Sequence, residues 1–139
     1  MIWPVDIADV NGRIFILRPD DREAKGTFFY QADILTARGE EAGYFWFDDF
    51  GDDSIVLHDI EVYERYSGAG LGSRLIQIVE AEARRLGKAK IVGHVDARCQ
   101  MSGQKERLAA WYRKRGYTVT QTDFSNGDYY GTLEKRLSS

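Results

Sequence analysis

The stretch from Ser54 to Val95, SIVLHDIEVYERYSGAGLGSRLIQIVEAEARRLGKAKIVGHV, changes its hydrophobic period twice. Ser54 to Val62 is apolar and β-branched, which predicts a strand. From Gly70 to Leu86 the apolar residues Leu71, Leu75, Ile78, Val79 and Leu86 follow helical spacing, and Gly87 is a C-terminal stop. Lys88 to Val95 returns to a strand pattern. Strand, helix, strand in that order implies a right-handed crossover between parallel strands.

The flanks are richer in strands than in helices. Gly12 to Arg18 is a strand that Pro19 ends. Thr27 to Thr36 and Ala42 to Phe47 form a hairpin around the turn Ala37 to Glu41. After Val95, Gln104 to Arg115 is a helix with Leu108, Trp111 and Tyr112 on one stripe, and Gly116 follows it. Tyr117 to Thr122 and Asp128 to Lys135 are strands joined by the turn Ser125-Asn126-Gly127. The predicted class is α/β (α+β), a mixed and mostly antiparallel sheet with a central parallel β-α-β unit and few helices.

Composition narrows the function classes. At 139 residues the chain fits one domain, read as residues 1–139. Its 43% hydrophobic and 29% charged residues exclude disorder, collagen and coiled coil. The single Cys99 cannot form an internal disulfide, which fits a reducing compartment. A net charge of -3 disfavours binding to nucleic-acid phosphates. No apolar run approaches the roughly 20 residues of a membrane helix. MIWPVDIADV is not a secretory signal. The expectation is a cytoplasmic protein with no nucleic-acid or membrane partner.

Tyr66-Ser67-Gly68-Ala69-Gly70-Leu71-Gly72-Ser73 lies between strand and helix. Glycines let backbone N–H groups approach a ligand, and the helix N-terminus adds unpaired donors and partial positive charge. The run can hold a phosphate, or it can be a simple turn. It is not a P-loop, because Gly72 is followed by Ser73-Arg74 and not Lys-Ser/Thr. It is not a dinucleotide fingerprint either, since the last glycine comes one place early and the strand before it is the fourth.

Three segments together resemble the GNAT superfamily of acyl-CoA-dependent N-acyltransferases. Ser67-Gly68-Ala69-Gly70-Leu71-Gly72 is similar to the family's Gln/Arg-x-x-Gly-x-Gly/Ala loop at both glycines, with Ser67 where Gln or Arg is usual. Trp111-Tyr112-Arg113-Lys114-Arg115-Gly116-Tyr117 resembles its aromatic-Tyr-x-x-x-Gly-aromatic segment. Ile60-Glu61-Val62 resembles the strand end that leads into the loop. The likeness covers residues 54–135, the part it implies to be the acetyl-CoA-binding core. Before Ser54 it is weak. The family has two helices after its first strand, and here only Asp20 to Gly26 is available, so residues 12–62 are read as strands with a shortened helical region.

The resemblance implies an N-acetyltransferase that passes acetyl from acetyl-CoA directly to a primary amine, with no metal. Ile60 and Val62 would make the backbone contacts to the acetyl group and pantetheine arm. Ser67, Gly68, Ala69, Gly70, Leu71, Gly72 and Ser73 would hold the pyrophosphate. Tyr112 matches the tyrosine that protonates the leaving thiolate, or it is a core aromatic; a phenol stays protonated at neutral pH. His58 is the first choice of base, because period-two alternation puts His58, Ile60 and Val62 on one face. Glu61, expected on the other face, is the alternative, and His94 stands behind both. The reaction could also run with no dedicated base. A homodimer is implied by the resemblance alone.

Other features read two ways. Cys99 has no His or acid at a motif spacing and is read as a free thiol, not a nucleophile. Asp48-Asp49-Phe50-Gly51-Asp52-Asp53 is a solvated hairpin loop or an attractor for a cationic acceptor; its spacing is not that of an EF-hand. Arg84-Arg85 and Arg113-Lys114-Arg115 are exposed helix ends that complement the dipole. The competing function is a non-catalytic acyl-CoA-binding or protein-interaction module with the same fold.

Overall fold

In the computed structural model, which describes residues 6–24, 26–96, 104–121 and 129–137, the chain forms one mixed sheet with two α-helices. The strands are β1 (Asp6–Ala8), β2 (Ile14–Pro19), β3 (Arg22–Ala24), β4 (Thr27–Thr36), β5 (Glu41–Asp49), β6 (Ser54–Val62), β7 (Lys90–Asp96), β8 (Thr118–Gln121) and β9 (Tyr129–Arg136). The helices are α1 (Leu71–Arg85) and α2 (Gln104–Lys114), with a single 3-10 turn at Glu64–Tyr66. The sheet order is β1-β2-β4-β5-β6-β7-β9-β8, and β3 pairs with β4. Among the described pairs only β6–β7 is parallel, so the predicted β-α-β unit is the crossover through α1.

Burial alternates along β5 and shows which face the helices cover. Phe45 and Phe47 are fully buried, whereas Tyr44 and Trp46 are half-buried. Phe45 and Phe47 join Ile55, Leu57, Ile91, Leu71, Leu75 and Val79 in one core. Each such side chain removed from water contributes roughly 1.5–3 kcal/mol. The two helices pack side by side on this face. A Cβ built on Gly72 of α1 would lie 3.3 Å from the Trp111 ring of α2. Among the described residues no helix covers the opposite face, which carries Tyr44, Trp46 and His58.

The shortened helical region expected before Ser54 does not form. Arg22–Ala24 folds back as β3 onto Thr27–Phe29, through a turn in which Gly26 takes φ +82°. A glycine there permits the left-handed turn, and Thr27-Phe28-Phe29 has strand propensity. The acidic run is also not a purely solvated loop. Asp48 and Asp49 belong to β5 and are buried. Asp49 accepts a hydrogen bond from Lys88 Nζ at 2.7 Å, and the Asp52 carboxylate caps the Ser54 N–H at 3.1 Å. Cys99 and the turn Ser125-Asn126-Gly127 lie outside the described residues. Among the described residues no helix is long and apolar enough to cross a membrane.

Candidate active site

The two parallel strands at the centre of the sheet pair only part of the way. Their register runs from Ser54–Lys90 to Leu57–Gly93 and stops there. Beyond that pair β6 continues to Val62 along β5, and β7 continues to Asp96 along β9. The strands therefore fork. On the β5 side, Tyr63 N–H donates to the Ala42 carbonyl at 2.9 Å. Successive N–H groups of a strand point to opposite edges, so those of Val62 and Ile60 point into the fork. Among the described residues no strand accepts them there. A fork with two inward N–H groups can bind a carbonyl oxygen as negative charge develops on it.

The glycine run opens beside the end of β6. Gly68 and Gly70 take φ +78° and +80°, and Gly70 caps α1. Arg74 donates back to the Gly70 carbonyl at 3.2 Å, as the first N–H of α1 to find a helical acceptor. Among the described residues the N–H groups from Gly68 to Ser73 have no backbone acceptor in another element. Ser67 differs from its neighbours. Its N–H and its hydroxyl both donate to the Glu64 carbonyl, at 3.1 and 2.8 Å. The free donors therefore begin at Gly68. Successive free N–H groups at a helix N-terminus form an anion site.

Basic groups flank this loop. Arg115 is not a solvent-exposed helix end. Its guanidinium donates to Ser73 Oγ and to the Trp111 carbonyl and lies 3.9 Å above the Trp111 ring. It thereby ties the end of α2 to the first turn of α1. Sequence periodicity gave no sign of this, because Ser73 and Arg115 are far apart in the chain and meet only when the helices pack. The groove between the helices is lined by Ser73, Gln77, Glu80, Lys114, Arg115 and Lys135.

Tyr112 points into the core between Trp111 and Tyr117, with ring centroids at 5.0 and 5.4 Å. It is 4% exposed. Burial, with the Asp59 carboxylate adding to it, pushes its hydroxyl above the ordinary phenol value. Among the described residues no group shares a hydrogen bond with that hydroxyl. It is a fully protonated donor held ready for another acceptor.

A bulge in β6 rearranges the expected faces. Phe47 pairs with Leu57 but Trp46 pairs with Asp59, which leaves His58 as the extra residue. Such a bulge shifts alternation by one. His58 thus shares the uncovered face with Asp59 and Glu61, while Ile60 packs against the core. The expectation that His58, Ile60 and Val62 share a face, with Glu61 opposite, is corrected by this bulge. On the uncovered face the His58 ring stacks on Trp46 at 4.4 Å and its Nε2 lies 2.6 Å from Asp48 Oδ2. Asp48 Oδ1 accepts from Trp46 Nε1 at 2.8 Å. Tyr44 donates to Asp59 Oδ2 at 2.5 Å and pairs in register with the exposed Glu61. His94, the first residue of β7 past the fork, is exposed.

The chain as a whole is similar to known proteins. A family model described as an acetyltransferase (GNAT) domain matches residues 24–119. The chain is 29% identical over 139 residues to the uncharacterized N-acetyltransferase YesJ of Bacillus subtilis, covering 96% of this chain and 69% of that protein. It is 26% identical over 107 residues to YdgE of the same organism, also an uncharacterized N-acetyltransferase, covering 73% of this chain and 62% of that one. Among solved structures, PaiA N-acetyltransferase from Thermoplasma acidophilum in complex with coenzyme A superposes with a TM-score of 0.61 at 17% identity, over 78% of this chain and 61% of that one. Nourseothricin acetyltransferase superposes with a TM-score of 0.63 at 16% identity, over 95% of this chain and 90% of that one. The solved structures speak for the fold alone.

Proposed function

The chain belongs to the GNAT acetyltransferase family, and from that premise we propose that it transfers acetyl from acetyl-CoA to a primary amine by direct attack. The observation that carries this reading is the fork between β6 and β7, with the Ile60 and Val62 N–H groups turned into it beside a run of free N–H groups. Acetyl-CoA would supply the acetyl group as an activated thioester. Gly68 to Ser73 are suited to its pyrophosphate, and Lys114, Arg115 and Lys135 bring positive charge to the adjoining groove. Ile60 and Val62 are suited to polarising the acyl carbonyl.

The acceptor must lose a proton before its nitrogen can attack. His58 is the base of this proposal, because its ring is fixed on the uncovered face where β6 leaves β7. Tyr112, protonated and buried, donates to the leaving sulfur. Asp59 and Glu61 on the same face as His58 favour a cationic amine. The balance is one N–C bond formed and one C–S bond broken. The ammonium group gives one proton to His58 and one, through Tyr112, to sulfur.

Calorimetric titration with acetyl-CoA, against dephosphorylated pantetheine, tests the site. Stoichiometric binding that requires the phosphates is expected. A panel of primary amines and polyamines, followed by thiol release, then tests the reaction. No binding at near-millimolar acetyl-CoA overturns the proposal. Tight binding without thiol release from any amine would make the domain an acyl-CoA-binding module.

A further inference from the structure

Asp48 is 2% exposed at the end of β5, and both its oxygens are engaged. Oδ1 accepts from the Trp46 indole N–H at 2.8 Å, and Oδ2 faces His58 Nε2 at 2.6 Å. An ionised carboxylate can only accept, so Nε2 must carry the ring proton. In the neutral imidazole the lone pair is then on Nδ1. Trp46 acts twice: its N–H holds the carboxylate, and its ring face stacks on the imidazole. The His58 side chain remains one-third exposed at 33%, so Nδ1 is not sealed in the core. Trp46 and Asp48 from β5 touch it, and strand register places Asp59 from its own strand and Val92 and His94 from β7 on the same sheet face.

We propose that Asp48, braced by Trp46, is a positioning residue that holds His58 in the Nε2–H tautomer, so that Nδ1 takes the acceptor's proton. The proposal rests on the reading of His58 as the base. The acidic run thus contributes more than surface charge. Its first carboxylate orients a ring on the neighbouring strand, at the bulge that leaves that ring on the uncovered face and turns Ile60 to the core.

Asp48→Asn makes the claim testable, because the indole N–H is a donor only. It keeps the amide oxygen of Asn on Trp46 and turns the amide NH2 toward His58 Nε2. Nε2 must then accept, and the ring proton moves to Nδ1. Nitrogen-15 spectra of the labelled protein read the tautomer without any substrate, and His58→Gln assigns the signal, since the chain has two histidines. Wild type is expected as Nε2–H and Asp48→Asn as Nδ1–H, with turnover down at least tenfold and acetyl-CoA affinity unchanged. The double variant Trp46→Phe/Asp48→Asn frees the amide to turn its oxygen to His58. It is expected to recover the Nε2–H tautomer and part of the turnover.

An Nε2–H signal that survives Asp48→Asn overturns the proposal. So does a switched tautomer with wild-type turnover, provided His58→Gln is itself slow. Full turnover in His58→Gln instead overturns the reading of His58 as the base, and with it the catalytic purpose assigned to Asp48. A wild-type His58 found as Nδ1–H overturns the proposal without any variant, and melting temperatures check that Asp48→Asn is folded.

Discussion

Gly93 approaches Leu57 so closely that a Cβ on Gly93 would lie 2.4 Å from the Leu57 carbonyl oxygen. These residues form the last pair between β6 and β7. The two strands are pressed together at the point from which they diverge, and only a residue without a side chain fits. The same contact that closes the sheet below the fork defines where the fork begins.

Gly93→Ala should wedge this point open. Forcing a methyl group against backbone costs about 1–3 kcal/mol, a fall in Tm of several degrees. Gly131→Ala is the matched control, because its Cβ would lie 2.3 Å from the Thr120 carbonyl oxygen, between β8 and β9. Thermal melts should show comparable losses for both. Calorimetry should show weaker acetyl-CoA binding for Gly93→Ala alone. Equal affinities would detach the fork from acetyl-CoA binding.

Gly70→Val should abolish acetyl-CoA binding. A valine at φ +80° is strained by about 1–3 kcal/mol, and its Cβ would meet Val10 Cγ1 at 3.0 Å. The loop must move, and its aligned N–H groups move with it. Titration should show at least a tenfold loss of affinity in a protein that still melts cooperatively. Wild-type affinity would place the phosphate site elsewhere.

Tyr112→Phe should separate activity from stability. The aromatic contacts to Trp111 and Tyr117 stay, and the hydroxyl removed has no hydrogen-bond partner among the described residues. Losing such a group costs little and can even stabilise. The melting temperature should therefore hold or rise slightly, while turnover falls about 10–100-fold with little change in acetyl-CoA affinity. An unchanged turnover number would leave Tyr112 as a core aromatic.

Asp52→Ala should weaken the fold at neutral pH and not in acid. The Ser54 N–H beside the Asp52 carboxylate holds its pKa below the ordinary value. A depressed folded-state pKa stabilises above the unfolded value of about 3.9, and this is lost as pH falls through the folded value. The variant should melt about 3 °C below wild type at pH 7, and the gap should close toward pH 2. A gap that persists in acid would mean that the ionised carboxylate is not what stabilises this turn.

Local spacing determined much of this protein. The period change across Ser54 to Val95 specified the parallel unit, and the glycine run and the Trp111–Tyr117 segment pointed to the family. Such patterns are legible because a helix or strand imposes its repeat on neighbours in sequence. Residues 20–26 were less legible, since a missing helix leaves no signal of the hairpin that replaces it. Three decisions belonged to tertiary structure alone. The bulge at His58 moved that ring away from the face of Ile60, because a bulge is set by pairing with β5 and not by composition. Asp48 was drawn out of an apparently solvated run to hold His58, and Arg115 was drawn off a helix end to hold Ser73. Each depends on residues that sequence keeps apart and folding brings within hydrogen-bond reach.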